Sequence, residues 1–267
     1  MSRVIEGRRA AFKVGYEALQ DKALLVIAGL WTPESRFVVV HGGGNAVTAR
    51  ATELTIPTQK IEGQRVTDER MLYEAAIPVF TDINRAVDAR LFKLGIKDKR
   101  GNKKTHGVTA LHLANTILFA ERDEKLGLVA KQPVVNYDLL EGLLEYGFTP
   151  VVAPLSRDKD DKRQILNTNG DKAWAAFPGD AFSITKPEGV LNKNDILVSR
   201  LTRDRAEDMI ARGEITDGMV VKVRSALTAA ETRQQSGSGE RVFITNSDGI
   251  RDVFDGRTAG TLVLAEE

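Results

Sequence analysis

At 267 residues, 42% hydrophobic and 28% charged, the chain is long enough for one large α/β domain or two lobes around a cleft. A formal net charge of +1, with no stripe of basic and aromatic residues, excludes a strong field for nucleic acid or an anionic membrane. The absence of cysteine excludes disulfides, thiolate metal sites and a cysteine nucleophile.

No apolar run approaches the about 18 residues of a membrane span, and Met1 to Arg9 holds no apolar signal core, so a cytoplasmic enzyme is expected. Ala10 to Tyr16 reads as a short strand ending near Gly15, with Lys13 placed to reach forward to a phosphate or to lie at a sheet edge. Glu17 to Leu30 has helical spacing, broken by Trp31-Thr32-Pro33-Glu34.

Phe37-Val38-Val39-Val40 is apolar throughout and mostly β-branched, as in a strand covered on both faces. His41 sits at its end, and Gly42, Gly43 and Gly44 follow. Three residues without Cβ let backbone N–H groups approach an anion. The helix-compatible run from Asn45 to Leu54 aims its positive dipole end at the same place. Strand, bare turn and helix start together form a phosphate or carboxylate cradle, where a turn needing only flexibility is the plainer reading.

Further on, Thr67 or Asp68 is placed to cap a long helix running to about Leu94, with Arg65 just ahead where a guanidinium can grip a carboxylate. Asp98 to Lys104 is a polar loop, and Gly107 to Ala120 is apolar and fits either strand or helix. His106 and His112 have no acidic partner at ligand spacing, and His41 reads as a packing residue rather than a base. Tyr137 to Tyr146 is an amphipathic helix closed by Gly147, and Thr149 to Pro154 is a buried strand. A charged hairpin tip, Asp158 to Arg163, precedes Asn167-Thr168-Asn169-Gly170-Asp171, a polar loop feeding a helix.

Ala181 to Lys186 reads as a strand, Pro187 to Asp195 as a loop and Asp204 to Ala211 as a short helix. Ile215 to Lys222 leads into a helix through about Thr232, with Lys222 in its first turns, and Gln235 to Glu240 is a flexible connection. Val242 to Thr245 and Thr261 to Leu264 are the last strands. No repeat is found, and the alternation of strands with helices predicts a mostly parallel sheet covered on both faces.

In this order, Lys13-Val14-Gly15, Val40-His41-Gly42-Gly43-Gly44, Gly63-Gln64-Arg65-Val66-Thr67, Asn167 to Asp171, Ile215 to Lys222 and Gly260-Thr261 resemble the motifs of the amino acid kinase family, and within it the acetylglutamate kinase branch. The resemblance spans nearly the whole chain. It implies a three-layer αβα sandwich with a mostly parallel central sheet, residues 1–165 forming an amino-acid-binding and dimerising lobe and 166–267 a nucleotide lobe. It implies transfer of the γ-phosphoryl of ATP to the side-chain carboxylate of N-acetyl-L-glutamate, a step of arginine biosynthesis. Mg²⁺ would bridge the ATP phosphates and no metal would be held by the protein alone.

By the same resemblance, Lys13 and Lys222 would neutralise the transferring phosphoryl group and Asp171 would hold them. Gly43, Gly44, Arg65, Asn167 and Asn169 would meet the acid substrate. Gly15, Thr185, Lys186, Asp217, Gly218 and Met219 would meet the nucleotide. Such kinases are usually homodimers. Tyr16 stands where the family has a second glycine, Gly170 where it has alanine, and Lys186 where an aspartate is usual. The glycine-rich turn expected near 107–113 is absent, and the Asp171–Gly189 span is about one helical turn short. Only a short tail precedes Lys13, so the helix that links arginine-inhibited relatives into hexamers is expected to be missing. Two alternatives stay open, a kinase acting on a carrier-linked carboxylate in lysine biosynthesis and a kinase-fold binding protein with little catalysis.

Overall fold

Because Arg9–Val14 (β1) and Arg36–His41 (β2) are apolar on alternate positions of both faces, they settle in the middle of a sheet with helices on either side. The computed structural model describes residues 8–15, 22–61, 63–98, 100–109 and 116–266. The remaining strands are Lys60–Ile61 (β3), Gln64–Arg65 (β4), Thr105–Val108 (β5), Leu118–Ala120 (β6), Val134–Val135 (β7), Thr149–Val152 (β8), Leu155–Asp158 (β9), Ile165–Asn167 (β10), Asp180–Ile184 (β11), Arg200–Leu201 (β12), Val242–Thr245 (β13) and Thr261–Val263 (β14). The helices are Lys22–Leu30 (α1), Gly44–Glu53 (α2), Ile77–Leu94 (α3), Tyr137–Glu145 (α4), Gly170–Ala175 (α5), Arg203–Ala211 (α6), Asp217–Ser236 (α7) and Ser247–Phe254 (α8).

The main sheet has the order β12-β14-β13-β11-β1-β2-β8-β5. The strands from β13 to β5 all run parallel, and β14 pairs antiparallel with β13. Alternation along β1 sends Ala11 to one layer and Phe12 to the other. One layer holds α4, α5, α6 and α7; the other holds α1, α3 and α8. In the second, Phe12 stacks on Phe182 at 5.4 Å and meets Phe37 edge-on at 5.1 Å. This is a three-layer αβα arrangement.

A second sheet, β10-β9-β6-β7, closes one side of the cleft, and β3 pairs with β4 as a separate hairpin. Around α2 it encloses a further apolar cluster that includes Val47, Phe80, Leu155 and Leu166. Alternation of strand with helix therefore fails between 155 and 167, where β9 and β10 form an antiparallel hairpin around the charged tip. The helix expected from Thr67 or Asp68 is capped by Asp68, whose Oδ1 accepts from Met71 N at 2.7 Å. Its turns over Met71–Ala76 are widened to π geometry. Pro78 lies just beyond and has no N–H to offer the Glu74 carbonyl, which accounts for the disturbance.

Several boundaries differ from the sequence reading, two of them near the site. β11 stops at Ile184, so Thr185 and Lys186 lie in the loop beyond it, and α7 continues through Ser236 before Gly237 caps it with φ 65°. The helix read from Glu17 is described only from Lys22, and Tyr16 and His112 lie outside the described residues.

Candidate active site

The parallel strands end at one edge of the sheet, the place where open α/β folds bind ligands. At that edge β2 gives way to the glycine turn. Gly42 N donates to Val14 O at 2.7 Å, tying the turn to the end of β1. α2 starts at Gly44 with Gly43 as its N-cap, and no side chain caps it. The first-turn N–H groups are thus left for an anion. His41 is fully buried; burial lowers its pKa to about 4, against the opposing effect of its bond to Gly42. The neutral ring therefore donates from Nδ1 to Gly42 O at 3.0 Å, and its Nε2 accepts from Asn84 Nδ2 at 3.3 Å. The ring thus links the glycine turn to Asn84 of α3.

A Cβ on Gly43 would stand 2.7 Å from Ile83 Cδ1 and 2.9 Å from Phe80 Cε1, so this residue lies against α3. Gly43→Ala is expected to cost about 1–3 kcal/mol by overpacking and to lower turnover by displacing the turn. A Cβ on Gly170 would meet His41 O at 3.5 Å and Gly42 Cα at 3.7 Å, which is ordinary contact. Gly170→Ala is expected to keep turnover and to be neutral or stabilising by up to ~1 kcal/mol. Denaturant midpoints and initial rates on the pair check both.

Three charges from distant parts of the sequence meet beside the turn. Lys13 Nζ is 2.9 Å and Lys222 Nζ 3.6 Å from Asp171 Oδ1, and all three side chains are largely buried. Lys13 reaches from the end of β1, Asp171 from the first turn of α5 and Lys222 from the second turn of α7. Burial alone would raise the Asp171 pKa, but the attraction of Lys13 and then Lys222 holds it below the usual carboxylate range. Burial first, and repulsion from Lys13 second, bring Lys222 down to about 8 against the pull of Asp171. At neutral pH the cluster carries two ammonium groups and one carboxylate, a net positive charge in a low-dielectric place.

A cavity of about 200 Å³ opens next to this cluster, its wall made by Lys13, Gly43, Gly44, Arg65, Asn167, Asn169 and Asp171 among others. Arg65 comes from the β3–β4 hairpin. Its Nη2 donates to Gly44 O at 2.9 Å and Thr48 Oγ1 at 2.7 Å, while Nη1 is buried without a partner. An unsatisfied buried guanidinium nitrogen at a cavity wall calls for an acceptor from a ligand. Asn167 Nδ2 donates to Thr67 Oγ1 at 2.9 Å, joining β10 to the segment just after the hairpin. Asn169 Oδ1 accepts from the N–H groups of Asp171 and Lys172, so that oxygen is spent on capping α5.

The other residues singled out in the sequence stand along the same edge but do not line this cavity. Gly15 follows β1, and a Cβ there would meet nothing within 4 Å. Thr185 follows β11, its N–H donating to Thr245 O at 2.9 Å, and Lys186 is exposed. Asp217, Gly218 and Met219 begin α7, Asp217 with φ 50°. No cluster of three or more His, Asp or Glu suited to a metal is found among the described residues, and Asp171 is committed to two ammonium groups. Thr48, Asn84 and Ser183 carry no local signal in the sequence; each gains its place only from partners brought in by the fold.

The profile of the amino acid kinase family matches residues 13–246. The acetylglutamate kinase of Bacillus licheniformis is 31% identical over 255 residues, covering 91% of this chain and 95% of its own. That of Rubrobacter xylanophilus is 32% identical over 265 residues, covering 97% and 98%. Among solved structures, smu.665 from Streptococcus mutans UA159 superposes with a TM-score of 0.75 at 23% identity, covering 96% of this chain and 98% of its own. Carbamate kinase from Giardia lamblia bound to AMP-PNP does so with a TM-score of 0.67 at 14% identity, covering 99% and 100%.

Proposed function

The chain belongs to the amino acid kinase family and is a kinase, and from that premise we propose that it transfers the γ-phosphoryl of ATP to the side-chain carboxylate of N-acetyl-L-glutamate. The observation that carries the proposal is the meeting of Lys13, Asp171 and Lys222 beside an uncapped helix start and a small polar cavity. The 30%-range identity to acetylglutamate kinases over almost the full chain supports the choice of acceptor.

In this reading Arg65 and Asn167 hold the acid by its α-carboxylate and acetamido group, the free Arg65 Nη1 supplying the buried donor. Gly43 and Gly44 turn their N–H groups to the reacting oxygens, and Asn169 fixes the helix that carries Asp171. The substrate's side-chain carboxylate is ionised at neutral pH and needs no base. One of its oxygens attacks the γ-phosphorus, the bond to the bridging oxygen breaks, and ADP leaves with that electron pair. The protein's work is positioning and neutralisation. Lys13 and Lys222 face the charge on the migrating group, and Asp171 keeps the two cations from driving each other apart.

We assign residues 1–165 to the acid-binding and dimerising lobe and 166–267 to the nucleotide lobe. Gly15, Thr185, Lys186, Asp217, Gly218 and Met219 are assigned to ATP, whose phosphates bring Mg²⁺ as part of the substrate. The reaction is a step of arginine biosynthesis, carried out by a cytoplasmic homodimer; no helix among the described residues is long and apolar enough to cross a membrane. A coupled ADP-release assay tests the proposal: N-acetyl-L-glutamate supports turnover, and a carrier-linked carboxylate or no acceptor does not. Turnover only with the carrier-linked acid would overturn it.

The pH profile follows from Lys222. Its charge is lost as pH rises through about 8, so kcat/KM falls above that value. Stability moves the other way. The unfolded chain keeps this proton up to the ordinary lysine value of 10.5, so between about 8 and 10.5 it binds more protons than the folded chain and the Lys222 contribution to stability rises. Rate and unfolding measured across that window separate loss of charge from loss of fold.

A further inference from the structure

We propose that Ser183 is the positioning residue for Lys222, its hydroxyl holding the ammonium group in place and charged for phosphoryl transfer. The proposal rests on the kinase reading above and adds a residue that none of the motifs contains. Ser183 lies on β11 and is wholly buried between Phe182 and Ile184. Alternation along the strand turns Phe182 and Ile184 to one layer and leaves Ser183 facing the other, the side of α5 and α7. In the ladder it stands directly across from Lys13 on β1 and Ile244 on β13.

A hydroxyl in such a place is costly unless it is hydrogen-bonded. Its partner is the Lys222 ammonium, which donates to Ser183 Oγ at 2.9 Å. The titratable groups against that ammonium are Lys13 from β1 and Asp171 from α5. Asp171 draws it toward α5, and Lys13 repels it. With Asp171 alone as acceptor, the ammonium would swing to the carboxylate that Lys13 already occupies at 2.9 Å. Ser183 supplies a second, uncharged acceptor on a rigid strand. An ammonium has three N–H donors. One goes to Ser183 Oγ, one faces Asp171 Oδ1 across an ion-pair distance of 3.6 Å, and the third is left for the incoming phosphoryl oxygens. Accepting a hydrogen bond also favours the charged lysine.

The test compares Ser183→Ala, Ser183→Thr and the unaltered chain by steady-state kinetics across pH, and by NMR titration of ¹³Cε-labelled lysine with the Lys222 signal identified through its loss in Lys222→Ala. Ser183→Ala removes one atom from the core and is expected to fold. Its kcat falls about tenfold, as for loss of one hydrogen bond to a charged group, with little change in KM. The basic limb and the Lys222 titration both move below their position in the unaltered chain. Ser183→Thr keeps the hydroxyl and restores rate and titration; thermal unfolding shows whether its extra methyl is accommodated. An unmoved titration in Ser183→Ala, or a full rate with an unmoved basic limb, would overturn the role of Ser183. Because the NMR titration needs no substrate, a chain inactive on N-acetyl-L-glutamate would sink the acceptor assignment and leave the Ser183 result readable on its own.

Discussion

Lys222→Ala lowers kcat about 10²-fold and leaves KM for both substrates within a small factor. One oriented positive donor at developing charge is worth ~3 kcal/mol in a site closed to water, which converts to that factor. The geometry demands a kcat effect. The Lys222 ammonium is 3.6 Å from Asp171 Oδ1 and 2.9 Å from Ser183 Oγ, anchored by the protein before any ligand arrives. Its stabilisation is therefore available to the transition state without reorganisation. Arginine is no substitute, since a planar fork does not occupy the space of a compact ammonium between two acceptors. A variant with unchanged kcat and a raised KM would show that Lys222 binds ground state and transition state alike, and the role given to it here would be wrong.

Asp171→Asn is the second large effect, and it acts on stability and rate together. Removing one partner from a largely buried charge cluster leaves uncompensated charge, here two ammonium groups sharing one amide. The expected loss is about 3 kcal/mol, a fall in Tm of roughly 6–12 °C for a chain of this size. With the carboxylate gone, the main influence raising the Lys222 pKa disappears, so that lysine is neutral at a lower pH than in the unaltered chain. The variant is thus slower at neutral pH, and part of the rate returns as pH is lowered. Where the unaltered chain is concerned, the Asp171 contribution is full above the ordinary aspartate range and is lost as pH falls through its depressed value. Calorimetry and a pH–rate profile on the same preparation check all three expectations. An Asp171→Asn variant as stable and as fast as its parent would mean that the cluster is incidental.

The centre of the fold was legible because its signals are local and agree with one another. Val38, Val39 and Val40 ahead of Gly42, Gly43 and Gly44 are hard to read other than as a buried strand, a close-approach turn and a helix start, and β2 and α2 have those bounds within a residue or two. The meeting of Lys13, Asp171 and Lys222 was legible only through resemblance. Each residue is ambiguous alone, and no spacing along the chain reveals that β1, α5 and α7 converge.

What escaped was short or tertiary in origin. α8 carries its buried residues at Ile250, Val253 and Phe254, too few to stand out in an eight-residue helix bounded by polar turns. Strands of two residues such as β7 and β12 hold too little pattern for a period of two to show, and the same shortness leaves β6 ambiguous between strand and helix. Thr185 still donates one backbone bond to Thr245 O of β13, but β11 ends at Ile184 and Lys186 lies in the loop at the ligand edge. Ser183 is silent in sequence, since a buried serine gains meaning only when its partner arrives from a helix many residues later.

The central claim is that a phosphoryl group moves from ATP to a carboxylate oxygen between Lys13 and Lys222 at the glycine turn. Its most direct test is to trap the product, incubating the chain with MgATP, N-acetyl-L-glutamate and hydroxylamine. The account predicts an ATP-dependent side-chain hydroxamate of N-acetyl-L-glutamate, formed in step with ADP and lost in Lys222→Ala. ADP release without any hydroxamate would contradict it.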